Sequence, residues 1–247
     1  VETPMGQEHG FLTRRWNDFF DEDGRPWPFI GYTIHTWLNT LILEGEEAFQ
    51  RMLDEPIELG YNVIVGHLLF VAPWNTGWPQ ATRLDPLEHP DFYDKLARGF
   101  DIAAERKIRI ACGIWSNVQF WSGNQQEHWR KSCAAMRGKW NVIARKGNEG
   151  AVNGWNPHDW AFPDMSGVLT SQGQAGINVN PTTPYLDFVE YAPTRNQFGV
   201  ARKWLYDSGS GMQQMQDGDF AGPAVVVPLL NMEPQFFHDT PFDEVGD

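Results

Sequence analysis

Asn141-Val142-Ile143-Ala144-Arg145-Lys146-Gly147-Asn148-Glu149 is the stretch on which the fold of this chain turns. A short apolar run rich in β-formers passes into small and polar residues and delivers a carboxylate. The same arrangement returns near the C-terminus, in Val225-Val226-Val227-Pro228-Leu229-Leu230-Asn231-Met232-Glu233-Pro234. Strands that are apolar on both faces belong to a parallel sheet covered by helices.

Working outward from these two runs, the sequence predicts strands at residues 29–33, 62–69, 108–114, 140–144, 167–170, 186–191 and 224–230. Helical patterns separate several of them, at 45–59, 91–106, 125–139 and 195–206. Phe92, Leu96 and Phe100 share one face of the second, and Gly60 is a stop after the first. A hairpin with the turn Asp21-Glu22-Asp23-Gly24 leads into the first strand, so residues 1–27 form an N-terminal hairpin. Residues 70–90 form a long loop, a feature usually either functional or disordered. No Pro/Gly/Ser-rich linker divides the chain, and residues 1–247 read as a single (β/α)-barrel domain.

The fold class is therefore α/β. The strand spacing matches the roughly 31 residues per unit of a (β/α)₈ TIM barrel. A doubly wound sheet has similar periodicity, but no G-x-G-x-x-G or P-loop follows any strand. Only residues 231–247 come after the seventh strand, whereas a helix and a strand need about 30. The barrel is expected to lack its last helix and strand here, with a missing segment or a partner chain closing it.

Composition narrows the function. The net charge of -13 disfavours nucleic acid and anionic membranes. No apolar run reaches the length needed to span a bilayer. The opening Val1-Glu2-Thr3-Pro4 is neither an initiator methionine nor a signal peptide, so the start is mature, trimmed or partial. Cys112 and Cys133 are either a bridge from strand to helix or two buried thiols. The seven histidines show no metal-ligand spacing, so no metal or cofactor is implied. Of 12 tryptophans, Trp74, Trp78, Trp121, Trp155 and Trp160 fall in Gly/Asn/Pro-rich loops, where they stack on sugar rings or plug the core.

In a barrel the active site lies at the C-terminal ends of the strands. Glu149 and Glu233 end the fourth and seventh strands, 84 residues apart, close to the roughly 93 of three units. This Asn-Glu pair on strand four, with a second Glu on strand seven, resembles the clan of retaining glycosidases that includes family 5 cellulases and mannanases. The opening hairpin and the aromatic ending strand six, Tyr191, are similar too. The resemblance implies that Glu149 is the acid/base and Glu233 the nucleophile, with carboxyls about 5 to 5.5 Å apart. It implies that Asn148 bonds the sugar 2-hydroxyl and that Tyr191 orients Glu233. Read from the residues alone, Asn148 is equally a turn residue beside Gly147, and Tyr191 a rim-packing aromatic.

Further substrate contacts are expected from His35 and Trp37 after strand one, Asn117 after strand three, and the loop residues Trp74 and Trp155. His67 is either a sugar contact or a satisfied core histidine, and Arg195 either a substrate contact or a helix cap. The sequence departs from the clan by lacking an arginine in residues 62–67, a histidine at the end of strand three and a strand-eight aromatic. The resemblance implies a retaining glycoside hydrolase that cleaves a β-linked polysaccharide or oligosaccharide outside the cell or at its surface. The departures leave open a non-catalytic barrel, a carbohydrate-binding or structural component of a larger assembly.

Overall fold

The computed structural model describes residues 10–15, 18–71, 83–148, 154–156, 159–174, 188–191 and 229–231. Seven parallel strands form one sheet: β3 (Gly31–Thr33), β4 (Val63–His67), β5 (Arg109–Trp115), β6 (Val142–Asn148), β7 (Leu169–Gln174), β8 (Phe188–Tyr191) and β9 (Leu229–Asn231). Their order in space is their order in sequence. That order separates the sheet from a doubly wound one, whose strand order reverses at a switch point. A right-handed crossover repeated in one direction curls a sheet toward a barrel.

Among the described residues the helices are α1 (Trp37–Glu44), α2 (Glu46–Glu58), α3 (Phe92–Glu105) and α4 (Gln125–Met136). The sequence pattern missed α1. Its run WLNTLILE spans only eight residues, with apolar side chains at adjacent positions, and so shows little 3.6-residue periodicity. α4 is capped by Asn124, whose side chain accepts from the Glu127 amide.

Strand alternation divides the core into two layers. Ile64, Ile110, Cys112, Ile114, Val142 and Ala144 join the large cluster that includes the apolar faces of the four helices. Val63, Val65, Ala111, Ile143 and Leu169, from the other face of the sheet, form a second cluster with Leu12 and Phe19. The N-terminal segment thus covers the inner face of the sheet. It contains β1 (Thr13–Arg15) and β2 (Asp18–Phe20), an antiparallel pair that the sequence did not reveal. The expected turn at 21–24 follows, closed by the Phe20–Pro26 bridge.

Arg109 fastens this plug. It donates to the carbonyls of Gly10 and Trp140, and its guanidinium lies over the Trp27 ring at 5.3 Å and the Trp140 ring at 4.8 Å. Burial lowers its pKa to about 10. Asn62 sets the entry to β3 and β4 by donating to the Pro28 carbonyl and accepting from the Ile30 amide.

Several boundaries moved. β6 runs on to Asn148, four residues past the expected end, because Gly147 and Asn148 are paired with Gly173 and Gln174 of β7. Backbone pairing there overrides a polar composition. The long loop is closed at its base by mutual bonds between Phe70 and Leu84, while residues 72–82 lie outside the described residues. So do the expected helix at 195–206 and strand residues 224–228. Cys112 and Cys133 are both free and buried, which settles that alternative toward thiols. Burial pushes the Cys133 thiol up to about 12.

Candidate functional site

Strand register builds the interior in rows. Val65, Ala111, Ile143 and Leu169 are paired in one line across four strands, and all four are apolar. Two residues nearer the C-terminal ends, the next line is His67, Gly113, Arg145 and Ser171. The sheet therefore changes from an apolar floor to a polar row in one pleat. A third line joins Asn148, Gln174, Glu190 and Leu230 across β6 to β9. Tyr191 is paired with Asn231 one residue further on.

His35 joins the polar row from the β3–α1 connection, where its carbonyl accepts from the His67 amide at 2.9 Å. The two imidazoles stack 5.8 Å apart at 20°, and Phe70 stacks against His35 at 6.1 Å. His67 is buried, and its Nδ1 has no hydrogen-bond partner among the described residues. Burial, and then the charge of Arg145, hold both imidazoles below the ordinary histidine range. Burial also lowers Lys146, next along β6, to about 8.

Gly66 and Gly147 are required by close approach. A side chain on Gly66 would begin 2.3 Å from the Ile34 carbonyl oxygen, and one on Gly147 would begin 2.3 Å from that of Trp115. Both positions let a neighbouring strand or connection pass close against the glycine.

The expected site residues divide. His35 and His67 meet in the interior. Trp37 instead lies fully buried among the helices, 5.8 Å from the Phe49 ring and 5.5 Å from the Phe100 ring. It begins α1, so its side chain turns to the helix layer, with Gly99 leaving it room. Trp155 is also buried in that outer cluster, as are Trp121 and Trp160. Three of the five loop tryptophans therefore plug the core. Asn117 is buried with a left-handed φ of 52°, a conformation its type tolerates, and precedes the short 3₁₀ turn Val118–Phe120. Asn148 and Tyr191 end β6 and β8. Glu149, Glu233, Trp74 and Arg195 lie outside the described residues.

Sequence reading missed Arg145 and Ser171. Period-two alternation from the core residue Ile143 would have found Arg145, because residues 143 and 145 share a face. It also missed His128, buried against Trp115 and Trp121 with ring centroids 5.1 Å away in each case. The His128 Nε2 lies 3.4 Å from the Ile114 carbonyl oxygen and must donate, which leaves Nδ1 to accept from the Tyr93 hydroxyl at 2.9 Å. Nearby, buried Asp85 accepts from Trp121 Nε1 and the Leu87 amide and pairs with Arg83. This knits the return limb of the long loop to the segment after β5. Among the described residues no cluster of three or more His, Cys, Asp or Glu could hold a metal ion.

These features define an α/β protein with a sequentially ordered parallel sheet, an N-terminal plug and a polar inner row toward the strands' C-terminal ends. The fold is similar to that of glycoside hydrolase family 5 enzymes, at low sequence identity. One is a family 5 glycoside hydrolase from Bacteroides vulgatus, with a TM-score of 0.59 and 16% identity over 90% of this chain and 52% of that one. A family 5 mannosidase from Rhizomucor miehei gives 0.52 and 11%, over 86% of this chain and 68% of that one. A β-glucanase from Saccharophagus degradans, solved with cellotetraose, gives 0.50 and 16%, over 78% and 65%. The chain thus spans about half the length of the Bacteroides structure and about two thirds of the other two. No protein-family model and no curated protein matches the sequence.

Proposed function

We propose that the chain carries the site of a retaining glycoside hydrolase acting on a β-linked polysaccharide or oligosaccharide. In this reading Glu149 protonates the leaving glycosidic oxygen and then deprotonates water, while Glu233 attacks the anomeric carbon. Asn148 contacts the 2-hydroxyl, Tyr191 orients Glu233, and His35 and His67 meet the sugar from the interior. Trp74 and Arg195 supply loop contacts. The enzyme works outside the cell or at its surface, with residues 1–247 acting as one unit.

The observation that supports this reading is the register of the third line. It joins Asn148 to Leu230 through Gln174 and Glu190. Glu149 follows Asn148 directly, and Glu233 comes three residues after Leu230. The two carboxylates thus follow strand ends that share one level of one sheet. The fold-level likeness to family 5 enzymes supports the same class of reaction.

The test is turnover of an activated aryl β-glycoside, with Glu149→Gln and Glu233→Gln beside the unaltered chain. Each variant is expected to lose on the order of 10²-fold or more in kcat. Activity that survives both changes ends the proposal. Oligosaccharide binding without turnover in the unaltered chain supports the non-catalytic, carbohydrate-binding alternative.

A further inference from the structure

The polar row brings a permanent cation and two imidazoles onto the same face of the sheet. Gly113 stands between His67 and Arg145 in the register, so no side chain on β5 separates them. The His67 ring fills that gap: a Cβ on Gly113 would begin 2.5 Å from its Nδ1. His35 is held on both faces, by His67 at 5.8 Å and Phe70 at 6.1 Å. Arg145 is buried, as is His67.

We propose that Arg145 is a positioning residue of the candidate site: its fixed charge, delivered from β6 across the gap at Gly113, adds to the burial of the stacked His35–His67 pair in favouring its neutral form. This rests on the glycosidase reading of the site and adds to it a role for a residue that touches no substrate. A neutral imidazole carries one donor and one acceptor, whereas a protonated one only donates. A neutral pair can therefore exchange hydrogen bonds in both directions with the hydroxyls of an uncharged sugar. Among the described residues, Arg145 acts on both imidazoles, and His35 acts on His67. Gly113 and Ser171, which complete the row, carry no charge.

The test is imidazole ¹⁵N NMR of the full chain as a function of pH, for the unaltered protein, Arg145→Met, Arg145→Gln and Arg145→Lys. In the unaltered chain both imidazoles are expected to titrate below the ordinary histidine range. Removing a cation favours the protonated ring, so the Met and Gln variants should shift both midpoints upward. The Lys variant keeps the charge and should keep the midpoints low, a rescue that a purely packing role would not predict. Either imidazole of the unaltered chain titrating at or above the ordinary range overturns the proposal. So does a folded Met or Gln variant with both midpoints unmoved. If neither folds, Arg145→Ala is titrated in their place: midpoints above those of the unaltered chain support the proposal and unmoved midpoints overturn it, as does loss of the low midpoints in the Lys chain. The titration needs no turnover, so it fails or succeeds separately from the roles of Glu149 and Glu233.

Discussion

The imidazole of His67 occupies the space that a side chain on Gly113 would need. A Cβ at Gly113 would begin 2.5 Å from His67 Nδ1 and 3.2 Å from Cε1. The glycine on β5 and the histidine on β4 are register partners, so neither can move along its strand to relieve the contact. The row's polar character depends on this pairing.

Gly113→Ala should therefore overpack the interior. The expected cost is about 1–3 kcal/mol, the usual range for extra atoms forced into a filled core. It should appear as a lower denaturation midpoint together with changed ¹⁵N shifts of the His67 ring. A stability unchanged to within about 0.5 kcal/mol would mean that the ring swings aside freely, against the packing described.

Stability should fall as the solution is acidified, in part through His128. Its folded pKa is lowered from 6.5 to about 4, chiefly by burial. The unfolded chain therefore binds a proton before the folded chain does. The associated stability is fully present above about pH 6.5 and is lost as the pH falls toward 4, about 3 kcal/mol over that window. Urea unfolding of the unaltered chain and His128→Gln, compared at pH 7 and pH 4.5, measures it. The variant should show the shallower pH dependence, and equal slopes would remove His128 as a cause.

Arg109 should hold the plug in place. Arg109→Met takes the guanidinium donor from the half-buried carbonyls of Gly10 and Trp140 and removes a cation that lies over two indoles. The expected loss is about 2–4 kcal/mol. Limited proteolysis should cut the variant within the first 30 residues well before the rest of the chain. Arg109→Lys should rescue little, because an ammonium cannot reach both carbonyls in one plane while stacking. Full resistance in the Met variant would show that apolar contacts of Leu12 and Phe19 suffice.

Legibility differed by element for physical reasons. β4 and β5 were readable because burial on both faces favours apolar runs, here residues 63–65 and 110–112, and α3 because one face alone is buried. α1 was hidden, because two turns with apolar side chains at adjacent positions are too short to show a period. The last residues of β6 were hidden because Arg145, Lys146, Gly147 and Asn148 look like a turn until their pairing partners are known. Trp37 and Trp155 were expected to meet sugar, since composition does not report which layer an aromatic enters. Both went to the helix-side core.

What the sequence determined by itself was local: which runs could be strands, which faces of helices were apolar, and that Asn148-Glu149 and Glu233 follow strand runs. Those follow from periodicity and short-range sterics, which act within a few residues. The rows were decided only in the tertiary structure. His67, Gly113, Arg145 and Ser171 are as much as 104 residues apart in the chain and meet solely through parallel register. Register is set by hydrogen bonds between strands and by the packing of the apolar row beneath. No stretch of sequence, read alone, contains that information.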